Sequence, residues 1–448
     1  MQFVVLSIFV MVCLVSLLRP HWALALVLLM YPFEQSLQAS VPIFRAIPPL
    51  ANVCIALVAG IAAIYAIARQ ERPFAGYFTG VFWCTCWIFG WSALSLIWTP
   101  SHPQADEMVK SGVPYFVLFI LVSPFLLDGI DDYRRLGRAL LLLGGIVSLT
   151  IIANPEFNFR YGRLGIDLEG NLRTNPLTIG ELGGTILIVA ALMRTEVGEP
   201  FWAALRFVSI PLGAALAFQS GSRGQILFAG IVAVAMYPLA RQLRSVFSFL
   251  GTVVAVAVIG GLVLLVAQLV LEGDLLRRWD ANALAEGGTT RIWNIMDLVR
   301  AYAVAPGYWL FGLGFNAFST VSAAIREPYS HALTIDMLCE LGMLTFAAYL
   351  AAIWWTYRSS RDLFARAAAD PGQRADVTIF LALAVYQLLL NNKQGTLWAS
   401  GPMFLHFLII VRAQRREALL APTAEAADGA HPDEAHADAQ VPHGAHPA

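Results

Sequence analysis

The chain has 448 residues, 58% of them hydrophobic and 13% charged, with a mean hydropathy of +0.66 and a formal net charge of −1. Soluble domains carry roughly 25% charged residues, so this composition excludes an ordinary soluble fold, and no basic tract suits a nucleic-acid partner. Apolar runs near or above the roughly 18 residues of a membrane helix recur along the chain, too long and continuous for a barrel. The class they define is an all-α polytopic membrane protein.

Taken in order, the runs fall at about 2–18, 22–38, 48–68, 76–98, 112–127, 137–153, 177–193, 201–219, 224–240, 246–272, 331–357, 377–391 and 397–412, which gives about 12 or 13 transmembrane helices. The second is the weakest, because Pro32, Glu34 and Gln35 interrupt it. The first lacks the basic leader of a secretory signal and reads as a membrane segment. Arg69 and Arg72, then Arg134, Arg135 and Arg138, then Arg241 and Arg244, then Arg358 to Arg374, and finally Arg412, Arg415 and Arg416 all fall on one side. The positive-inside rule makes that side cytoplasmic.

Four segments remain on the other face: 99–111, 154–176, 220–223 and 273–330, the last being the main outer loop. The transmembrane domain is expected over 1–412. Residues 413–448, rich in Ala, Asp, Glu, Pro and His, are expected to form a disordered cytoplasmic tail. The five cysteines lie inside apolar runs and read as small buried hydrophobes, since Cys84-Thr-Cys86 lacks zinc-site spacing. No Walker-type phosphate loop, internal repeat or cofactor motif appears, so no cofactor is expected.

Polar residues on the outer face carry the candidate chemistry. Arg223 sits in Ser220-Gly-Ser-Arg-Gly-Gln at the start of a helix. An arginine fork at a helix N-terminus suits phosphate oxygens, although a headgroup anchor has the same signature. Arg291 opens a stretch in which Ile292, Ile295, Met296 and Val299 share a face, the pattern of an amphipathic helix at the membrane surface. Asp297 and Arg300 are set to pair on that helix, which leaves Arg291 the better ligand candidate. Phe311-Gly-Leu-Gly-Phe-Asn316 reads as a tight turn. His331 stands where the outer loop enters the next run, placed to exchange a proton near neutrality or to play a structural part. Asp336 and Glu340 lie deeper; Glu340 is nine residues on, about 13 Å along a helix, and suits a supporting role. Arg160, Arg163 and Arg173 extend a cationic rim.

The order of these motifs (Ser-Arg-Gly, an Arg shortly before Trp, Leu-Phe-Gly-Leu-Gly, Tyr-Ser-His and Glu-Leu-Gly) resembles the O-antigen ligase and Wzy-type polymerase superfamily over roughly residues 150–360. The family's usual Pro-His-Asn is here Ser330-His331-Ala332. The resemblance implies a metal-independent, GT-C-like glycosyltransferase of the bacterial inner membrane. Its donor would be an undecaprenyl-pyrophosphate-linked glycan. Its acceptor would be a sugar hydroxyl, on a growing glycan or on a lipid A-core, at the periplasmic face. It also implies membrane lipids and polysaccharide assembly proteins as partners. By position, Arg223 and Arg291 match the arginines that bind the donor pyrophosphate, His331 the histidine that assists the reaction, and Glu340 a recurring acid. Arg163 and Arg300 join them as supporting cations.

Three other readings stay open. A protein O-oligosaccharyltransferase of the same superfamily would use the same site. A transporter or flippase would draw on Asp336, Glu340, Asn391, Asn392 and Lys393 near the bilayer midplane. A scaffold within a polysaccharide assembly complex would need none of these side chains.

Overall fold

A computed structural model describes residues 1–160, 163–166, 175–241, 281–321 and 330–420, with isolated positions between 245 and 254. The expected run at 246–272 therefore lies largely outside the described residues, as do Arg173, Arg244, Arg326, Glu327 and the chain beyond 420. The described residues are predominantly helical. Seven of the described helices are long and apolar enough to cross a membrane, and Gln2–Leu18 and Pro176–Leu192 are shorter apolar helices. It is a multi-pass membrane protein, and its surface says so physically. Phe3, Ile64, Ile97 and Phe207 each expose 70% or more of their area, an outward apolar face suited to lipid and not to water.

In chain order the helices are α1 (Gln2–Leu18), α2 (Pro20–Leu28), α3 (Met30–Ser40), α4 (Pro42–Ala46), α5 (Leu50–Arg69), α6 (Gly80–Leu94), α7 (His102–Phe116) and α8 (Asp131–Ala153). An antiparallel hairpin of β1 (Phe157–Arg160) and β2 (Arg163–Ile166) follows, pairing Phe157 with Ile166. Then come α9 (Pro176–Leu192), α10 (Pro200–Gln219), α11 (Arg223–Arg241), α12 (Ala281–Ala303), α13 (Phe318–Val321), α14 (Leu333–Cys339), α15 (Gly342–Arg366), α16 (Pro371–Asn391) and α17 (Gly401–Leu420).

Small residues bring the spans together. A Cβ on Gly183 of α9 would sit 2.5 Å from the Gly213 carbonyl of α10, and one on Gly213 would sit 2.6 Å from the Gly183 carbonyl. The two backbones touch there, as glycine allows inside a bilayer.

Four expected segments differ. The run 22–38 is two helices broken at Leu29, because Pro32 has no N–H for the turn below it. Residues 99–111 are not a loop: α7 starts at His102 and continues through a wider-wound segment to give a 25-residue span. Hydropathy missed its polar first half, where Asp106 and Lys110 pair at 2.6 Å across one turn. The run 331–357 is broken at Gly342, whose φ of +82° is left-handed, into short α14 and long α15. The last helix continues past 412 to Leu420, because Arg412 and Arg416 are buried against neighbouring segments instead of solvated.

Hydrogen bonds define the two ends of the bundle. At one, Arg412 donates to the Leu127 carbonyl at 2.5 Å and to Gln70 at 3.2 Å, Arg134 to Asp376 at 3.2 Å, and Arg374 to the Leu239 carbonyl at 2.9 Å. The basic segments thus gather at a single end. At the other, Asn154 donates to Ser40, Gln35 to the Asn175 carbonyl, and Ser101 to the Asn316 carbonyl.

Candidate functional site

The end opposite the basic one collects most of the polar residues singled out by sequence. Its first wall is the α10–α11 turn. Gly221 adopts φ +62°, and the Ser220 hydroxyl accepts from the Ser222 N–H at 3.2 Å, so the chain reverses tightly and α11 begins on Arg223. Lys393, just after α16, lies across Gly224, where any side chain would collide with its stem. Its Nζ donates to Ser222 Oγ at 2.9 Å and to Gln225 Oε1 at 3.0 Å. Gln225 in turn donates to Gln394 Oε1 at 2.7 Å. A lysine is therefore fixed at the helix start that Arg223 opens.

The second wall is α12. It places Arg291 close enough to Arg223 for the two charges to repel one another, an arrangement that favours an anion between them. Leu298 of α12 packs with Phe318 and Cys339, and Asn294 is fully buried on the same face. Ile292, Trp293, Met296 and Val299 point outward, 60%, 51%, 37% and 39% exposed, as an interfacial helix requires. Arg300 is exposed and, nine residues from Arg291, falls half a revolution round the helix. It is not brought to this wall. Arg163 stands half-buried on the β-hairpin.

The third wall is the crossing of the Gly312–Asn316 turn with α14. Gly314 N–H donates to the Glu340 carbonyl at 2.9 Å and Leu313 N–H to the Cys339 carbonyl at 3.0 Å. The Glu340 carboxyl accepts from the N–H groups of Asn316 and Phe318, both at 3.0 Å. α6 and its continuation hold the turn from outside: Trp98 donates to the Gly312 carbonyl at 3.1 Å and Thr99 to the Phe315 carbonyl at 2.7 Å. Burial pushes the Asp336 carboxyl above the usual carboxylate range against the hydrogen bond from Ser330. Burial, then the charge of Asp336, raises Glu340 well above the carboxylate range despite its two N–H donors.

His331 stands at the lip of this wall, half-buried, with φ +65°. Among the described residues only His331 and Asn316 are non-glycine positions with positive φ, and both belong to this region. Ser330 fixes the entry to α14 by hydrogen bonding Asp336 and accepting from the Ala332 N–H at 3.0 Å. Three residues on, the Thr334 N–H donates to Asn392 Oδ1 at 3.0 Å, beside Lys393. His331 is thus joined to the Arg223 wall through α14, Asn392 and Lys393.

Lys393 and Gln225 are additions to the cationic site. The signal was present: Lys393 is one of two lysines in the chain, Lys110 being the other, and it follows two asparagines. Among the described residues, no group of three or more His, Cys, Asp or Glu side chains stands where a metal could be held. The sequence matches no protein-family model and no curated protein.

Proposed function

We propose that the protein is a lipid-linked glycan transferase of the O-antigen ligase and Wzy-type class, with a GT-C-like architecture. In this reading it sits in a bacterial inner membrane with the Arg223 end facing the periplasm. It moves a glycan from undecaprenyl pyrophosphate to a sugar hydroxyl. The reading rests on Lys393 held on the Ser222 and Gln225 side chains at the start of the helix that Arg223 opens, with Arg291 of α12 near enough for its charge to act on Arg223.

Glycosyl transfer breaks the bond between the anomeric carbon and the pyrophosphate oxygen, and the leaving group departs with the electron pair. The acceptor oxygen bonds to that carbon and loses its proton. Charge grows on the pyrophosphate, and preorganised cations at a partly dry site stabilise it. His331 takes the acceptor proton, a role worth ~10²–10⁴-fold in rate. Glu340, tied to two backbone N–H groups, holds the turn that frames His331.

Purified protein in lipid nanodiscs, given lipid-linked glycan and candidate acceptors, tests this. Wild type should transfer; Arg223→Ala and Arg291→Ala should lose most activity, and His331→Ala should fall by about 10²-fold or more. Full activity in all three variants would remove the reading. Whether the acceptor is a lipid-anchored core sugar, a growing chain or a protein hydroxyl is decided by which acceptor is consumed. The part-buried Glu181–Gln387 hydrogen bond, 2.5 Å long between two apolar helices, is the feature that favours a transporter instead. Solute uptake into proteoliposomes without glycan transfer would establish that alternative.

A further inference from the structure

At the basic end of the bundle two arginines meet without a carboxylate. Arg206 of α10 donates from Nε to the Ala190 carbonyl at 2.7 Å, and Arg241, the last residue of α11, donates from Nη2 to the Met193 carbonyl at 2.9 Å. The two acceptors belong to the last turn of α9 and its cap, so arginines from two other helices converge on one helix end. The charge of Arg241 acts on Arg206, and that of the exposed Arg194, just past the end of α9, acts on Arg241.

Capping alone does not account for this arrangement. A cation near the last carbonyls of a helix is favourable, but a guanidinium carries five N–H donors, and one nitrogen of each arginine is used on α9. The terminal nitrogens of Arg206 bond nothing among the described residues and are not buried. Both side chains are half-buried, with part of their surface accessible. Their neighbours at the same end are matched differently. Arg134 pairs with Glu196 at 2.6 Å and with Asp376 at 3.2 Å, and Arg138 pairs with Glu199 at 2.5 Å. Those acids are therefore already occupied. Among the described residues no carboxylate forms an ion pair with Arg206 or Arg241. Like charges held close together, with donors still open, favour an anion from outside the chain.

The surroundings select that anion. The Tyr237 ring lies 5.9 Å from Arg241 Cζ, and the Trp202 ring, one turn before Arg206, lies 5.1 Å from Arg138 Cζ. Tyrosine and tryptophan gather at the level of the lipid headgroups. Phe201, Phe207 and Val208 of α10 each expose more than half of their surface, and α10 and α11 are the least covered of the seven spans. Lipid chains therefore have an open apolar face directly beside the two guanidinium groups. Phosphate oxygens suit guanidinium forks. A headgroup with its own ammonium would set that cation among three arginines, where no unoccupied carboxylate receives it. A headgroup of net negative charge meets no such penalty, and basic pockets between membrane helices are suited to such lipids.

We propose that Arg206 and Arg241, with Arg194 at the rim, bind the phosphodiester of an anionic phospholipid at the end of α9, its acyl chains lying along α10. The site is independent of the transferase reading, because it uses other residues at the opposite end of the bundle.

The full chain in detergent, offered equal amounts of phosphatidylglycerol and phosphatidylcholine and then washed, tests this by native mass spectrometry of the retained lipid. Wild type should keep phosphatidylglycerol in preference. Arg206→Gln and Arg241→Gln retain a donor for each α9 carbonyl, so the helix end stays capped. Each should weaken phosphatidylglycerol retention roughly fivefold, the share of one arginine at an anionic lipid surface. Arg361→Gln removes the same charge from an exposed position on α15 and should change nothing. Wild-type retention in both the Arg206 and Arg241 variants would overturn the proposal. An equal loss in Arg361→Gln would do so too, by showing a general effect of charge instead of a site. Equal retention of the two lipids by wild type sinks it without recourse to any variant. Inorganic phosphate added during the wash should leave the lipid in place; displacement would assign the arginines to free phosphate and end the lipid assignment.

Discussion

His331 shows most directly how a single residue's backbone and side chain are set against each other. Its φ of +65° is a conformation that costs an L-residue roughly 1–2 kcal/mol relative to glycine. A ring stands here in spite of the backbone cost. His331→Gly therefore separates the two contributions. The melting temperature in detergent should hold or rise, because glycine adopts this conformation freely, while transfer falls as far as it does in His331→Ala. A melting temperature that drops by several degrees would show that the imidazole itself holds the fold. Asn316, the other positive-φ residue, is different in kind: its N–H is taken by Glu340, so its conformation serves the turn.

At the scale of elements, the crossing of the 312–316 turn with the α14–α15 junction decides where the site can form. Gly312 has φ +86° and Gly342 φ +82°, and a Cβ on either would collide with the other segment's backbone. The N–H groups of Leu313 and Gly314 can reach the carbonyls of Cys339 and Glu340 only because both glycines lack a side chain. Gly342→Ala should cost well over the ~1 kcal/mol of left-handed strain alone, since backbone cannot move aside as a side chain can. A large fall in melting temperature would follow, together with loss of the His331 environment. An unchanged melting temperature would mean that the crossing is not as close as described. Here the limit of sequence reading is plain. Leu310-Phe-Gly-Leu-Gly was legible as a tight turn, but nothing in the pattern said that its partner was the break before Gly342. An apolar run hides a kink unless the glycine's φ is known. The opposite error occurred in α7, where a helix was hidden because its first half is polar.

For the molecule as a whole, the two ends divide labour, and that division was the most legible feature. Arginine counts in short segments placed the basic residues together without any geometry, because charge at a bilayer face is set by composition alone. Which polar residues meet at the opposite end was not legible. Lys393 and Ser222 are 171 residues apart, and only the packing of α11 on α16 joins them. The basic end is knit for stability. Arg412 donates to the Pro124, Leu127 and Pro73 carbonyls and to Gln70, tying α17 to two separate connections with a guanidinium fork. Lysine cannot reproduce that fork. Arg412→Lys would leave at least one of these four acceptors unmet, at about 1–3 kcal/mol where the acceptor is buried. The melting temperature should fall substantially, while donor and acceptor KM, measured well below it, stay at wild-type values. The proposed transfer site sits at the far end of the bundle, so a change in either KM for Arg412→Lys would mean that the ends are coupled and that the bundle moves as the glycan is transferred.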